Sequence, residues 1–288
     1  MEKVLRLLQP FYEITKKISG EQSILSSVIP DVTALERYLL KCSRKDAGVH
    51  TLKEELRKSL QKRFFSNDDG QVNILSDKEF LMSTVLDPRF KGRYMPQNAF
   101  SSARTMLLEE LKNIATVDTS KDQNENEEAE SPSAKKSKSQ SQSLQEEIHQ
   151  DFSSCYDEVC QRNELEAGVQ AENSESDEEM IIGELQTRRR RQSCLEVPLS
   201  VIVAEMEGYL NMPVIERNES PFLWWKQQQT AFPRVAKLAG RFLSAPASSV
   251  VSERLFSEAG NIFDEKRSRL LPRNGEKLLF LHHNLDKF

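Results

Sequence analysis

The sequence has few glycines, prolines and cysteines, and it contains no long apolar run. Ten glycines and 11 prolines among 288 residues argue against a strand-rich fold, which needs many tight turns. No stretch reaches the roughly 18 to 20 apolar residues that a membrane span requires, and the first residues lack a signal-peptide layout. The four cysteines form no Cys-x-x-Cys pair, so a disulfide framework is not indicated. We therefore expect a soluble, intracellular and mainly α-helical protein.

The formal net charge of −5 is unevenly distributed along the chain. Positions 121–182 contain 17 acidic and five basic residues, a net charge of −12, so the rest of the chain carries +7. Serine, glutamate, glutamine and asparagine dominate from 117 to 192, and apolar periodicity is lost there. Such a composition buries too little apolar surface to offset the entropy of ordering. We expect residues 117–192 to form a disordered acidic insert, with a transient helix from Gln145 to Val159 as one option.

Apolar residues recur at three- and four-residue spacing before this insert, which predicts a helical domain over residues 1–116. One set runs from Val4 to Ile18 and includes Leu8, and another runs from Val49 to Phe64. An apolar segment between them is interrupted at Pro30. A further helix is expected over residues 99–115.

Ser76 and Glu79 have the spacing of a capping box, in which a serine side chain and a glutamate side chain cap each other's amides. This pattern predicts a helix that begins at Asp77. The helix should end at Asp87, because Pro88 disfavours a helical conformation in the residue before it.

Helical patterns resume in the third predicted unit, residues 193–288. A stripe from Leu199 to Leu210 predicts one helix, and Ser220 with Pro221 has the residue types of an N-cap followed by a first-turn proline. Further helices are predicted at 233–242, 249–262 and 274–285. The predicted fold is therefore mainly α, without a substantial β-sheet.

Three separated blocks resemble hAT-family DNA transposases, in particular proteins of the BED-zinc-finger type. These blocks are LDPRFK at positions 86–91, SPFLWWK at 220–226 and PASSVVSERLFSEAG at 246–260. The resemblance implies an insertion-domain helical unit followed by the C-terminal hAT dimerisation region. Complete family members also carry an upstream BED finger and an RNase H-like sheet. The resemblance implies that the first residue here lies inside the insertion domain, beyond that finger and sheet.

Glu253 matches the glutamate of the family's catalytic acidic triad. The two aspartates of that triad belong to the RNase H-like sheet, and two-metal chemistry needs more than one carboxylate. We therefore expect a noncatalytic nuclear protein that dimerises and acts in chromatin or transcription, with Glu253 as an exposed vestige. The alternative is an enzyme, either a fragment of an active hAT transposase or of a BED-type SUMO ligase.

The C-terminal helices need a cover for their apolar face, because in the family they pack on the sheet. That cover is either the N-terminal helices of this chain or a second subunit, in a homodimer or a heterodimer with a related protein. The paired tryptophans are equally compatible with an interface or with a core. The candidate dimerisation residues are Trp224, Trp225, Leu255, Phe256, Phe263, Leu278 and Phe280.

Several weaker signals concern other partners. A basic cluster suits nonspecific contacts to DNA phosphates, although a solvated loop explains it as well; it comprises Lys266, Arg267, Arg269 and Arg273. Two basic runs are typical of nuclear-import signals, namely Lys135, Lys136 and Lys138, and Arg188, Arg189, Arg190 and Arg191. Met180, Ile181 and Ile182 after an acidic run resemble a SUMO-binding motif. The histidines lack cysteines at zinc spacing, so we expect no metal, and no cofactor or membrane contact is indicated.

Overall fold

A computed structural model describes residues 2–41, 48–67, 72–118, 152–164, 198–263 and 270–285. Within these ranges the secondary structure is helical and no strand is present, which confirms the predicted fold class. Five helices precede position 119: α1 (Glu2–Ile18), α2 (Val28–Leu40), α3 (His50–Phe64), α4 (Lys78–Val85) and α5 (Gln97–Asp118). Six follow: α6 (152–164), α7 (Leu199–Asn211), α8 (Pro221–Gln228), α9 (Pro233–Leu243), α10 (Val250–Ile262) and α11 (Pro272–Asn284).

The apolar periodicities place most of the predicted residues in the core. Leu7 and Ile14 of α1 are buried, as is Leu60 of α3, whereas Leu8 is exposed. The predicted interruption at Pro30 is wrong, because Pro30 is buried in the first turn of α2. Proline is tolerated there since the first amides of a helix have no intrahelical acceptor.

The N-terminus of α4 is capped by a different residue from the one predicted. Asp77 has extended backbone angles, and its carboxylate accepts hydrogen bonds from the amides of Glu79, at 2.9 Å, and Phe80, at 3.3 Å. The Ser76 hydroxyl instead donates to the carbonyl of Asn73. The capping box is therefore replaced by a single aspartate cap one residue later. The helix ends at Val85, two residues before the predicted stop.

The core joins sequence segments on both sides of the acidic insert. Helices α4 and α5 pack against each other, and α9 packs on both of them. Leu81, Leu107 and Phe242, one from each helix, are all buried. The N-terminal helices and α7–α9 therefore share one continuous apolar core.

Helix α6 lies inside the segment predicted to be disordered, so that prediction does not hold for residues 152–164. Its residues Phe152, Cys155, Tyr156 and Val159 are buried. Their spacing places them on one face of a helix, which the polar composition around them concealed. Residues 117 and 118 of the predicted insert belong to α5, and its residues other than those in α5 and α6 lie outside the described ranges.

The described ranges contain neither a membrane-spanning helix nor a disulfide bond. None of the helices there combines the length and apolarity needed to cross a membrane. Neither Cys155 nor Cys160 forms a disulfide bond within this part of the chain, while Cys42 and Cys194 lie outside it.

The cap assignment predicts opposite results for two neighbouring alanine variants. Asp77→Ala should lower the free energy of unfolding by about 1 kcal/mol, because two amides lose their acceptor. Ser76→Ala should change it by less than about 0.5 kcal/mol, as expected for an exposed substitution. Urea unfolding followed by circular dichroism measures both. A larger loss for Ser76→Ala than for Asp77→Ala would favour the capping box.

Candidate dimerisation surface and the motif that anchors it

The LDPRFK motif forms a buried turn between α4 and α5. The carboxylate of Asp87 accepts hydrogen bonds from the Ser26 hydroxyl at 2.6 Å and from the Arg89 amide at 3.0 Å. The Arg89 guanidinium completes the set, with its Nη2 atom 2.7 Å from Asp87. Asp87 is fully buried, and a buried carboxylate is tolerated when it is paired and hydrogen-bonded in this way. The motif therefore ties the α4–α5 turn to the segment before α2.

Lys91, the last residue of the motif, joins this turn to the C-terminal part of the chain. Its ammonium donates to the carbonyl of Tyr209 at 2.7 Å and to the carbonyl of Met212, and it lies 4.7 Å from the centre of the Tyr209 ring. These carbonyls stand at the C-terminal end of α7, where unpaired acceptors and the helix dipole favour a cation. Burial lowers the pKa of Lys91 to about 8. Lys91 therefore caps α7 with a buried amine.

The backbone of Lys91 also departs from ordinary geometry. Its φ is 49°, in the left-handed region, and no other residue except glycine has a positive φ in the described ranges. Glycine adopts this conformation at less cost than lysine. A lysine at this position is explained by the side-chain contacts to α7, which glycine cannot make.

The tryptophan pair packs inside the subunit. Trp225 is buried, and its indole donates to the carbonyl of Leu86 at 2.9 Å. Trp224 is half-buried, and its ring packs edge-on against Trp225 at 4.8 Å. Tyr209 lies beside both rings and donates its hydroxyl to the carbonyl of Val85. The surface of Trp225 is thus occupied by its own chain, which favours the core alternative for this residue, and its use as a dimer contact stays a prediction.

A short backbone pairing fixes the point from which α10 departs. The Leu25 amide donates to the Ala245 carbonyl at 2.9 Å, and the Ala247 amide donates to the Ser23 carbonyl at 3.1 Å. The Ser248 hydroxyl donates to the carbonyl of Ile18, at the end of α1. The link between α9 and α10 is therefore held against the N-terminal helices.

Helices α10 and α11 form a hairpin that we call the terminal hairpin. The two helices pack on each other around Gly275, where the Phe263 ring leaves no room for a side chain: a Cβ atom would lie 2.1 Å from the ring. Gly275 is buried, yet no side chain of α10 is, within the described residues. The two helices therefore contact each other and bury little against the described remainder of the chain.

The terminal hairpin exposes a large amount of apolar side chain. The exposed fraction is 74% for Phe256 and 59% for Phe280. The exposed large apolar residues of this hairpin are Phe256, Phe263, Leu271, Leu278, Phe280, Leu281 and Leu285, and Leu255 is half-buried. Clusters of exposed apolar residues on a soluble protein mark interaction sites. Five of the seven predicted dimerisation residues thus lie together on this hairpin, whereas the tryptophans do not.

Glu253 lies in the first turn of α10 and is exposed. Its carboxylate accepts a hydrogen bond from the Ser249 hydroxyl at 2.5 Å. In the described part of the chain, no group of three or more histidine, cysteine, aspartate or glutamate side chains is arranged to hold a metal ion. The Nδ1 atom of His282 on α11 lies 3.6 Å from the carboxylate of Glu258 on α10.

Most of the other predicted binding residues lie outside the described residues. This applies to Lys266, Arg267 and Arg269, to both nuclear-import runs, and to Met180, Ile181 and Ile182. Arg273 is described and exposed in the first turn of α11. The basic cluster, the import signals and the SUMO-binding motif therefore stay predictions.

Comparison with known proteins agrees with the position of the terminal hairpin. Residues 205–285 match the hAT family C-terminal dimerisation region. The C-terminal part of this chain is therefore similar to the hAT dimerisation region. The match covers α8 to α11 and part of α7, so it includes both the tryptophan pair and the exposed hairpin.

Two curated relatives align over almost the whole chain at low identity. Human zinc finger BED domain-containing protein 4 is 25% identical over 99% of this chain and 20% of its own length. Mouse zinc finger BED domain-containing protein 6 is 22% identical over 99% of this chain and 27% of its own length. The predicted resemblance to BED-type hAT proteins is thus confirmed, and the chain spans about a quarter or less of the relatives that it matches.

Sequence reasoning missed two features of this region. The sequence identifies Lys91 as part of the LDPRFK motif. Only the folded chain shows that its ammonium binds the carbonyls of Tyr209 and Met212, which lie 118 and 121 residues further along the chain. The close contact of Phe263 with Gly275 was also not foreseen. A glycine inside a helical pattern is the available signal, since it often marks a close approach.

Replacing Lys91 with methionine should destabilise the fold, because the buried carbonyls of α7 lose their donors. We expect a loss of about 2 kcal/mol in the free energy of unfolding, within the range for unpaired buried polar groups. Lys58→Met is the matched control, because Lys58 is exposed and makes only a surface ion pair. Urea unfolding measures the free energy of unfolding of both variants. An equal decrease for Lys91→Met and Lys58→Met would contradict the capping role of Lys91.

Two glycine variants should act on the terminal hairpin in opposite directions. Gly275→Ala should separate α10 from α11, with a cost of about 1–3 kcal/mol for overpacking. Gly260→Ala places its methyl group where no atom lies within 4 Å, so it should stabilise α10 by about 0.5–1 kcal/mol. Amide hydrogen exchange in α10 and α11 should therefore become faster in the first variant and slower in the second. The same direction in both variants would argue against the Phe263 contact.

Proposed function

We propose that this chain is a noncatalytic, transposase-derived association module whose terminal hairpin pairs with a second copy or with a related protein. The observation that supports this most directly is the exposed apolar surface of α10 and α11 inside a hAT dimerisation region. The body of the protein supplies a rigid support for this hairpin. The occupant of the surface is a second hairpin of the same kind.

The arrangement of the hairpin suits pairing with an identical surface. Phe256 on α10 and Phe280 on α11 are large, rigid and exposed, and aromatic side chains are enriched among the residues that dominate binding energy. Phe263 fills the space between the two helices over Gly275. Two-fold symmetric pairing brings the same patch of both subunits together and closes the assembly at a dimer.

Glu253 supports the noncatalytic part of the proposal. Its exposed carboxylate is engaged by Ser249 one turn earlier on its own helix. A two-metal phosphoryl-transfer site instead requires several oxygen ligands that converge on ions roughly 4 Å apart. The function that remains for α10 is association through its apolar residues rather than DNA cleavage through Glu253.

The cellular part of the proposal rests on the resemblance and on sequence signals. We infer a nuclear protein that acts in chromatin or transcription through its partners, with weak nonspecific DNA contacts that include Arg273. The import runs at 135–138 and 188–191 and a SUMO contact through residues 180–182 belong to the same proposal. The relatives are zinc finger BED domain-containing proteins by name, and their finger is the natural source of sequence-specific DNA recognition.

Sedimentation equilibrium tests the association. The unaltered chain should show a concentration-dependent monomer–dimer equilibrium, and Phe256→Asp with Phe280→Asp should weaken the dimer at least about tenfold, as for loss of a binding hot spot. Phe222→Asp is the control, because Phe222 is also exposed in the matched region but belongs to α8. A strictly monomeric chain across micromolar concentrations, or equal weakening by the control, would contradict the proposal.

A further inference from the structure

Helix α6 is held in place by polar contacts to several separate segments. Glu158 accepts from the Nε atom of Arg37 at 2.8 Å and pairs with the ammonium of Lys41 at 2.6 Å. The neighbouring Asp157 pairs with Arg217, on the loop between α7 and α8. Helix α6 thus connects α2, which precedes the acidic insert, with a loop that follows it.

The buried face of α6 adds a second kind of contact. Tyr156 donates its hydroxyl to the buried carboxylate of Asp31 at 2.8 Å, and Asp31 also pairs with Lys17. Cys155 is fully buried one residue earlier. Burial raises the pKa of the Cys155 thiol, and the nearby Lys41 ammonium partly opposes this shift. Release of α6 from the body would therefore expose a thiol that is otherwise unreactive.

Ser154 lies on the exposed side of this helix, in contact with Lys41. It is exposed, and its hydroxyl oxygen accepts a hydrogen bond from the ammonium of Lys41 at 2.9 Å. Arg37 lies one helical turn before Lys41 on α2 and contacts Glu158. Acidic residues follow the serine at the third and fourth positions, Asp157 and Glu158. An exposed serine thus combines the acidic context that acidic-directed kinases select with cations ready to bind a phosphate.

We propose that Ser154 is a phosphorylation site for an acidic-directed serine kinase, and that Lys41 and Arg37 bind the phosphate and fasten α6 to α2. The modification makes one bond and breaks one. The Ser154 oxygen attacks the γ-phosphorus of a nucleoside triphosphate, the bond to the nucleoside diphosphate breaks, and the hydroxyl proton passes to the kinase base. This proposal does not depend on dimerisation through the terminal hairpin.

The charges around Ser154 set the direction of the effect. A phosphoserine carries between one and two negative charges near neutral pH and offers three strong acceptor oxygens. Lys41 and Arg37 attract it, whereas Glu158 repels it and competes for Lys41. Asp157 is engaged by Arg217 on the opposite side. Two cations against one competing carboxylate favour attachment, so phosphorylation should slow the release of α6.

Phosphoryl transfer to Ser154 requires that α6 is first released from the body of the protein. A kinase binds its target serine in an extended segment, and the residues on both sides of Ser154 include the buried Cys155 and Tyr156. The hydroxyl is therefore modified while α6 is released from the body. The phosphate then meets Lys41 and Arg37 when α6 returns, and the returned state persists longer.

The first arm of the experiment locates the phosphate. The full chain is incubated with ATP and a purified acidic-directed serine kinase, and the product is mapped by mass spectrometry. We expect phosphate at Ser154, none at this position in Ser154→Ala, and unchanged modification of Ser154 in Ser153→Ala. Ser153 is the matched control, because Tyr156 rather than an acid stands three residues after it. Absence of phosphate at Ser154 would overturn the proposal.

The second arm measures the release of α6 through the Cys155 thiol. Cys42, Cys160 and Cys194 are replaced with serine, and the rate of Cys155 alkylation is followed. Phosphorylation should slow alkylation about two- to fivefold, the range for one solvent-exposed ion pair, and 1 M salt should reduce the difference. Lys41→Gln should abolish the slowing, whereas Lys58→Gln should leave it intact. Equal or faster alkylation of the phosphorylated chain would overturn the attachment role.

Discussion

The hydrogen bonds from Lys91 to the C-terminal carbonyls of α7 hold together two parts of the chain that are far apart in sequence. Lys91 adopts a left-handed backbone conformation and buries its amine to reach the carbonyls of Tyr209 and Met212. Both features are costly for a lysine in isolation. Their combined effect is to place α7 and the following tryptophan pair directly on the LDPRFK turn. The LDPRFK motif at positions 86–91 and the tryptophan motif at 220–226 are therefore one structural unit.

This unit determines where the terminal hairpin can lie. Trp225 is bound to the carbonyl of Leu86, and α9 packs on α4 and α5. The backbone pairing of Ala245 and Ala247 with the segment before α2 then fixes the start of α10. The hairpin begins at a rigid point, and its own apolar residues find little cover among the described residues. The body is thus stabilised by burial, whereas the hairpin retains apolar surface that suits association.

Helix α6 shows how a polar segment of sequence joins such a core. Four apolar residues on one face supply burial, and the acidic residues between them pair with Arg37, Lys41 and Arg217. The same acidic composition that predicts disorder supplies the charges that match the basic remainder of the chain. These ion pairs between α6 and the basic remainder of the chain also place Ser154 next to Lys41.

The helical fold class, the positions of most helices and the hAT resemblance can be predicted from the sequence, because they depend on local periodicity, on proline and capping residues and on short motifs. The sequence also singled out Leu255, Phe256, Phe263, Leu278 and Phe280 as candidates for association, and all of them but the half-buried Leu255 are exposed. Other features depended on contacts between distant segments. Asp77 rather than Ser76 caps α4, Trp225 enters the core, and α6 is ordered. These three features follow from the folded chain. They depend on burial or on partners from distant segments, and a local sequence pattern contains neither.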